Sequence, residues 1–558
     1  MNLVLLIIPE LILVAVACAL FVLGVSSRAA ARQAAPVVAL LALLVVFFMQ
    51  TMPTSEAAFS GGDQGATVRT DPAGSLRVSD LADYIRLLGA GLGALFVMLA
   101  WPAPQRQGSG NAAVHFGNDA GEFFALLLLS IAGLMLVASA NDIILLFLGI
   151  ELASIPTYIM VSISRPLPAA QEAGVKYFFL GAMSAAVMLF GFSYLYGTSG
   201  VIRLHEIGQQ FAATIQQDST AVQFTPWQML AVVLLISGFA FKMAAVPLHF
   251  YAGDVYEGAA TPVTALLSFV PKAAGFVALL KVLFAVSGGL WLLPAQIGQL
   301  LWVLAALTMT VGNVLGLLQH NVKRLLAYSS IAHTGYMLVG VTALVASQDL
   351  PALQGVLFYL AAYGLMNVAA FGVLELLPAR GAAARRPATT AETFDDLLGT
   401  GRDHPGLGLM MAVACFSLIG LPLTIGFFGK VYLILPAWRA GLSWLVVIMV
   451  VNAAISAAYY LKIVATMFLR AEPQSESPPE PTQRPEAGPG LAPLGPTPIL
   501  LAVAISAAGT LLFGTIFPAT EVLRTQVVQA AVIDTQPLPP SLDSTAGLSS
   551  GAAGSVQP

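Results

Sequence analysis

Apolar residues run along this chain in long blocks interrupted by short polar connections. Crossing ~30 Å of hydrocarbon takes about 20 helical residues. Fourteen blocks approach or exceed that length: 3–25, 36–52, 81–101, 121–139, 142–163, 171–197, 227–250, 260–287, 294–319, 323–346, 351–377, 406–436, 442–469 and 495–518. The pattern predicts a membrane helix for each. The second block is short and the third carries Asp83 and Arg86 near its start, so those boundaries are soft. The first is too long for a signal-peptide core and lacks a basic leader, so it is read as a retained span. Three stretches fall outside the pattern. Residues 53–80 are Gly- and Asp-rich, 471–497 are proline-rich and acidic, and the tail from about 519 ends in low-complexity Ser, Gly and Pro. The last two read as linkers without chemistry.

Composition changes the picture by exclusion. Of 558 residues, 58% are hydrophobic and 9% charged, against roughly 25% charged in soluble proteins. With a mean hydropathy of +0.84, neither a soluble globular fold nor intrinsic disorder fits. A net charge of −4 without a Lys/Arg-rich run leaves no footprint for nucleic acid. Cys18 and Cys415 sit in different apolar blocks, so a disulfide framework, a CxxC zinc site and an iron–sulfur site are excluded. No P-loop, HExxH, or GxGxxG after a strand is present. An all-α polytopic membrane protein remains, with no metal site, redox centre or nucleotide site of its own. Basic residues of the connections set its orientation. Twelve fall in odd-numbered loops (Arg28, Arg165 and Lys323 among them), and six, such as Arg69, Arg203 and Arg439, on the other side. The odd loops are therefore placed in the cytoplasm and both termini outside.

The candidate chemistry lies in ionisable residues at mid-span. A central Lys or Asp costs about 2.5–3.5 kcal/mol on insertion scales, so each needs a reason. Glu151 is in the fifth span, Lys242 in the seventh, Lys272 in the eighth and Lys430 in the twelfth. Lys176, Lys281 and Lys462 lie nearer span ends and read as snorkelling side chains. The central groups extend into polar stripes: Glu151, Ser154, Tyr158 and Ser162 on span five, and Thr261, Thr264, Ser268 and Lys272 on span eight. Span ten adds Ser329, His333 and Tyr336, and span eleven Tyr359, Tyr363 and Asn367. Steps of three and four put each set on one helix face. One such stripe is ordinary interhelical bonding; four can enclose a hydrated path.

Two spans are predicted to break. Pro247 follows Lys242 in span seven, and Pro422 precedes Lys430 in span twelve. As one helix, span twelve would reach ~46 Å, too long for the bilayer unless bent. AVPLHFYAGDVY and GLPLTIGFFGKVY align on these prolines. Five spans separate the two segments, so the second runs opposite to the first. That is an inverted repeat with discontinuous helices, an ion-transporter architecture.

The segments VKRLLAYSSIAHTGYMLVG (322–340) and FKMAAVPLHFYAGDVYEGAATPVTALLS (241–268) resemble the antiporter-like subunits of respiratory complex I. The resemblance covers spans four to thirteen. The span number and the AYSSIAHTGY wording resemble the N-type subunit. The M-type carries Glu where this chain has Lys430, and the L-type has a long lateral helix for which no apolar stretch follows residue 518. The resemblance implies about 14 transmembrane helices with two inverted five-helix repeats, helices 4–8 and 9–13, and with helices 7 and 12 broken. The corresponding division is an N-terminal segment to 118, repeats at 119–290 and 291–470, a loop at 471–494, a last helix at 495–518 and a tail from 519. It further implies proton translocation through Glu151, Lys242, Lys272, His333 and Lys430, driven by NADH oxidation and quinone reduction elsewhere. NADH, FMN, iron–sulfur clusters and quinone are then expected in partner subunits, with no cofactor in this chain. M-type and K-type subunits are the expected neighbours, in a bacterial cytoplasmic (inner) membrane. A multi-subunit sodium/proton antiporter of the Mrp type, or a membrane-bound hydrogenase, shares the same blocks. In each case a mobile Glu beside a buried lysine can switch it between holding and releasing a proton.

Overall fold

The computed structural model describes residues 3–26, 29–51, 69–71, 74–102, 119–217, 222–377, 391–470, 496–516 and 523–528. Among them, eleven helices are long and apolar enough to cross a membrane, and three shorter apolar helices accompany them. Helix is the expected solution, because every backbone N–H and C=O in hydrocarbon must find an internal partner.

The chain opens with α1 (Leu3–Leu6), α2 (Ile8–Gly24) and α3 (Ala29–Thr51). A short antiparallel pair, β1 (Arg69–Thr70) and β2 (Arg77–Val78), leads into α4 (Asp80–Leu99). Next come α5 (Ala120–Ser139), α6 (Ile143–Ile163), α7 (Pro168–Ser199), α8 (Leu204–Gln217), α9 (Pro226–Lys242), α10 (Phe250–Gly258) and α11 (Thr261–Val286). Then follow α12 (Ala295–Leu317), α13 (Val322–Ser347), α14 (Leu350–Leu376), the short turns α15 (Phe394–Leu397) and α16 (Thr400–Asp403), α17 (Pro405–Ile419), α18 (Ile425–Arg439) and α19 (Ser443–Phe468). Helix α20 (Thr497–Thr515) follows, and 523–528 form a further helical turn. Polar residues at the block edges start several of these. Asp142 accepts from the N–H of Ile144 and Leu145 at α6, Asn321 from Arg324 at α13, and Thr225 and Gln228 form a capping box at α9. Enclosure varies: the apolar windows of α13 and α14 are 94% buried and that of α7 33%. α13 and α14 therefore form the middle of the bundle.

Helix occupies each of the fourteen predicted blocks, with differences at the ends and breaks. Predicted span seven (227–250) is α9, a non-helical stretch and the start of α10. Predicted span twelve (406–436) is α17 and α18, interrupted at Gly420–Thr424. Several elements had no counterpart in the prediction, the short turns α15 and α16 among them. Amphipathic α8 buries Leu204, Ile207 and Phe211 along one face, and the strand pair lies in the Gly- and Asp-rich stretch. Residues 53–68 and most of 471–497 and of the tail lie outside the described residues.

Two groups of charges hold helix ends together. Arg86 is buried in α4, where Nε donates to Glu10 Oε1 of α2 at 2.8 Å and an NH2 group reaches Leu6 O at 2.8 Å. Asp83 of α4 pairs with Arg69 of β1 at 2.6 Å. These residues fasten the hairpin and α2 to α4; they do not fray its start. At the opposite junction, Glu392 pairs with Arg165, just after α6, and with Lys323 at 3.2 Å. Lys323, read from sequence as a loop charge, is fully buried and also donates to Ala259 O at 2.6 Å. Burial alone would push the Glu392 carboxyl up, but Lys323 and Arg165 outweigh it and hold it below its ordinary range.

Removing Glu392 would leave two buried cations without their ion-pair partner, a loss of about 3–5 kcal/mol. Glu392→Gln is expected to lower the thermal inactivation temperature of the purified membrane assembly. Because the folded carboxyl is more acidic than the unfolded one, its contribution is complete above the ordinary carboxylate range. It is lost as pH falls through the lowered value. Inactivation curves at neutral and acidic pH, wild type against variant, should converge at the acidic end.

Candidate functional site

The break in the seventh span is built around Lys242. Helix α9 ends on that residue, and Pro247, which has no N–H to donate, helps to keep 243–249 out of regular helix. The freed backbone groups are satisfied by side chains: Val246 N–H donates to Thr308 Oγ1 at 3.0 Å, Tyr251 OH donates to Phe241 O at 2.9 Å, and Thr334 Oγ1 donates to Met243 O at 2.9 Å. Lys242 Nζ then points at α6. It donates to Glu151 Oε1 at 2.8 Å, Ser154 Oγ at 3.1 Å and Tyr158 OH at 3.1 Å. The first three members of the predicted span-five stripe are thus the ligands of this ammonium.

Lys272 of α11 is 3% exposed. It donates to Ser330 O at 2.8 Å, to Ser330 Oγ, and to Thr334 Oγ1 at 3.3 Å, all on α13. No ion pair is formed by Lys272 among the described residues. Thr334 therefore touches both the Lys272 ammonium and the carbonyl next to Lys242. Within the same turns of α13, His333 has its two ring nitrogens on Tyr359 OH at 2.7 Å and Tyr460 OH at 3.1 Å. Tyr460 is in turn bonded to Ser329.

The second break places Lys430. Gly420 has φ +88° and Leu423 φ +71°, and a Cβ on Gly420 would sit 2.9 Å from Lys430 Cδ. Glycine meets both demands, the left-handed backbone and the close approach. The last carbonyls of α17 have lost their intrahelical partners at this break. Lys430 Nζ takes two of them, Leu418 O at 3.0 Å and Ile419 O at 2.7 Å, and lies over the Tyr336 ring. A helix C-terminus carries partial negative charge and suits a cation.

The five candidate residues are thus threaded along α13: Glu151 and Lys242 meet Thr334 through Met243, Lys272 meets Thr334 and Ser330, and Lys430 meets Tyr336. The rings of His333 and Tyr336 have centroids 5.4 Å apart. Not every stripe residue joins them. Thr264 bonds Ala260 O, Ser268 bonds Ala265 O and Asn367 bonds Tyr363 O, each within or beside its own helix. Of the three peripheral lysines, Lys176 is exposed and pairs with Glu172 and Asp254, Lys462 lies over Phe394, and Lys281 donates to Ala138 O.

A family profile described as "NADH:quinone oxidoreductase/Mrp antiporter, TM" matches residues 140–456, which contain all five candidates. NADH-quinone oxidoreductase subunit N 2 of Roseiflexus castenholzii is 43% identical over 382 residues, covering 68% of this chain and 74% of that one. Subunit N of Trichlorobacter lovleyi is 40% identical, covering 71% and 74%. The chain belongs to this family, among its N-type subunits. A chain of respiratory complex I from Thermus thermophilus superposes with a TM-score of 0.69 at 29% identity, covering 93% of this chain and 99% of that chain. A chain of the Mrp complex from Dietzia sp. DQ12-45-1b, at 19% identity and TM-score 0.72 over 94% and 97%, shares the fold.

Within this N-type chain, Ser330, Thr334 and Tyr460 are site residues that the sequence reading missed. Ser330 and Thr334 follow Ser329 and His333 by one residue each, so the stripe rule placed them on a neighbouring face. Tyr460 comes from α19, whose polar positions formed no assigned stripe. The adjacent pairs Ser329–Ser330 and His333–Thr334 held the available signal, since together they present polar groups to two sides of one helix.

Glu151 and Lys242 share one interaction, with side chains 15% and 2% exposed. Glu151→Ala and Lys242→Ala are each expected to destabilise the assembled complex. The double variant should lose less than the two losses added, with coupling of about 0.5–3 kcal/mol. Thermal denaturation of the four members of the cycle measures it, and strict additivity would refute the pairing.

Proposed function

We propose that this chain is the proton-translocating N-type subunit of a bacterial NADH:quinone oxidoreductase, and that Glu151, Lys242, Lys272, His333 and Lys430 relay the proton. The observation that carries this reading is the alignment of three buried lysines and an imidazole along one enclosed helix, α13, in a chain of this family. Charges so costly to bury in hydrocarbon are ordinarily functional.

The chemistry follows from the unequal surroundings of the lysines. With the pair closed, the Lys242 ammonium faces the Glu151 carboxylate at 2.8 Å. With the pair open, that ammonium loses its counter-charge and its proton passes towards Lys272 by way of Thr334 and water. Lys272 and Lys430 are met by neutral oxygens, so each gives up a proton without leaving an anion behind. His333, held between two phenols, spans the interval between them. The two halves of this path correspond to inverted repeats at 119–290 and 291–470, each with one broken helix.

The driving force comes from outside the chain. NADH oxidation at FMN, the iron–sulfur clusters and quinone reduction belong to partner subunits, with M-type and K-type subunits as membrane neighbours. The odd-numbered loops face the cytoplasm across the inner membrane, and both termini lie outside. The purified chain is expected to show no flavin, haem or iron–sulfur absorbance; any such band would refute this assignment of the redox groups.

Lys430 gives the decisive test. Lys430→Met removes the titratable group and its insertion cost, so the complex should assemble while proton pumping falls by an order of magnitude or more, about 1.4 kcal/mol or above in barrier terms. Lys430→Glu, which can still relay a proton, should retain more pumping than Lys430→Met. If the lysine only filled space, the order would reverse. The measurement is pumping in inside-out vesicles, normalised to assembled complex, with NADH:quinone activity followed in parallel. Sodium transport without NADH oxidation in the native assembly would assign the chain to an antiporter instead.

A further inference from the structure

Among the described residues, Lys430 forms no ion pair, whereas Lys242 has Glu151. Beyond the two α17 carbonyls, the Lys430 ammonium has the Tyr336 ring as a further partner among the described residues, with Nζ 4.9 Å from its centroid. Tyr336 is itself held in place. Asn313 Nδ2 of α12 donates to Tyr336 OH at 3.0 Å, to Asn452 Oδ1 at 3.2 Å and to Met309 O at 2.8 Å. Asn313 Oδ1 accepts from Tyr459 OH at 2.9 Å. Asn452 donates onward to Thr310 Oγ1 at 3.2 Å. Asn313, Tyr336, Asn452 and Tyr459 are all buried. The amide can adopt one orientation here, because Met309 O only accepts and so must face the NH2 group.

Backbone proximity makes this geometry reachable. A Cβ on Gly312 would lie 2.6 Å from Ala332 N, and one on Gly335 2.5 Å from Met309 N. Helices α12 and α13 thus touch main chain to main chain on either side of the Asn313–Tyr336 bond. A buried amide network can serve simply to join three helices. This one converges on the ring over which an otherwise unpaired ammonium sits. An aromatic face attracts a desolvated cation through its negative quadrupole. Unlike a carboxylate, it carries no net charge to trap the proton.

We propose that Tyr336 is a positioning residue for the Lys430 ammonium, its ring face taking the part that Glu151 takes for Lys242, and that Asn313 fixes that ring. This rests on the relay reading of Lys430 given above. The hydroxyl is needed to orient the ring and the π face to hold the charge, so the two contributions are separable.

The experiment places Phe, 3,5-difluorophenylalanine and pentafluorophenylalanine at position 336 by nonsense suppression, in the full complex. Fluorination withdraws the negative face while barely changing ring volume. Pumping per assembled complex should decline stepwise along the series, with the pentafluoro ring about threefold or more below Phe. Equal pumping by the three rings would overturn the proposal, because a packing role responds to shape and not to the quadrupole. Should Tyr336→Phe fail to assemble, the native tyrosine against 3,5-difluorotyrosine gives the same comparison with the hydroxyl kept. Asn313→Ala is expected to reduce pumping in the tyrosine protein and to add little in the Tyr336→Phe background; full additivity would remove Asn313 from the inference. Lys430→Met separates the two levels: wild-type pumping there defeats the relay reading itself, whereas a flat fluorine series with an inactive Lys430→Met defeats the Tyr336 assignment alone.

Discussion

The structure depends on the cost of keeping charge inside hydrocarbon. Lys242, Lys272 and Lys430 are each at most 6% exposed, and a central lysine is unfavourable by about 2.5–3.5 kcal/mol even on lenient scales. Each is therefore met by several oxygens, and each by a different kind. Lys242 has a carboxylate and two hydroxyls, Lys272 a carbonyl and hydroxyls, and Lys430 two carbonyls and a ring. In the proposed relay, this gradation from charged to neutral partners is what would let a proton move between groups of one chemical type.

Supplying the Lys430 carbonyls requires a broken helix. An intact helix spends its carbonyls on its own N–H groups, and interrupting α17 at Gly420 releases two of them to Lys430. At both breaks side chains of the bundle, Thr308, Thr334 and Ser417, bond backbone N–H and C=O groups, as a hydrocarbon surrounding demands. Thr334 does this while also contacting Lys272. Structural repair and the polar axis share atoms, which explains why α13 admits polar residues on two faces yet stays in the centre of the fold.

Much of this was legible in the chain. The spans were readable because hydrocarbon thickness dictates block length, and the central lysines because depth in a span forbids snorkelling. The breaks announced themselves through Pro247 and Pro422. Helix α8 escaped because a short surface helix buries one narrow apolar face and so never forms a continuous block. Arg86 and Lys323 were misjudged for a different reason. A charge near a block edge looks the same whether it faces water or a buried carboxylate, and the partners Glu10 and Glu392 lie 76 and 69 residues away.

What the sequence determined by itself is therefore whatever follows from one segment and its solvent: which stretches are lipid-soluble helices, where they break, and which charges are too deep to be incidental. These are local properties, governed by hydrophobic length and helix period. Tertiary structure alone decided the pairings: Glu151 with Lys242, Lys272 with Ser330 and Thr334, His333 with Tyr460, and Lys430 with the open end of α17. Those contacts arise from how helices distant in sequence are rotated and how closely glycines let them approach. A one-dimensional pattern records which residues share a face, and the packing of the bundle decides what that face meets.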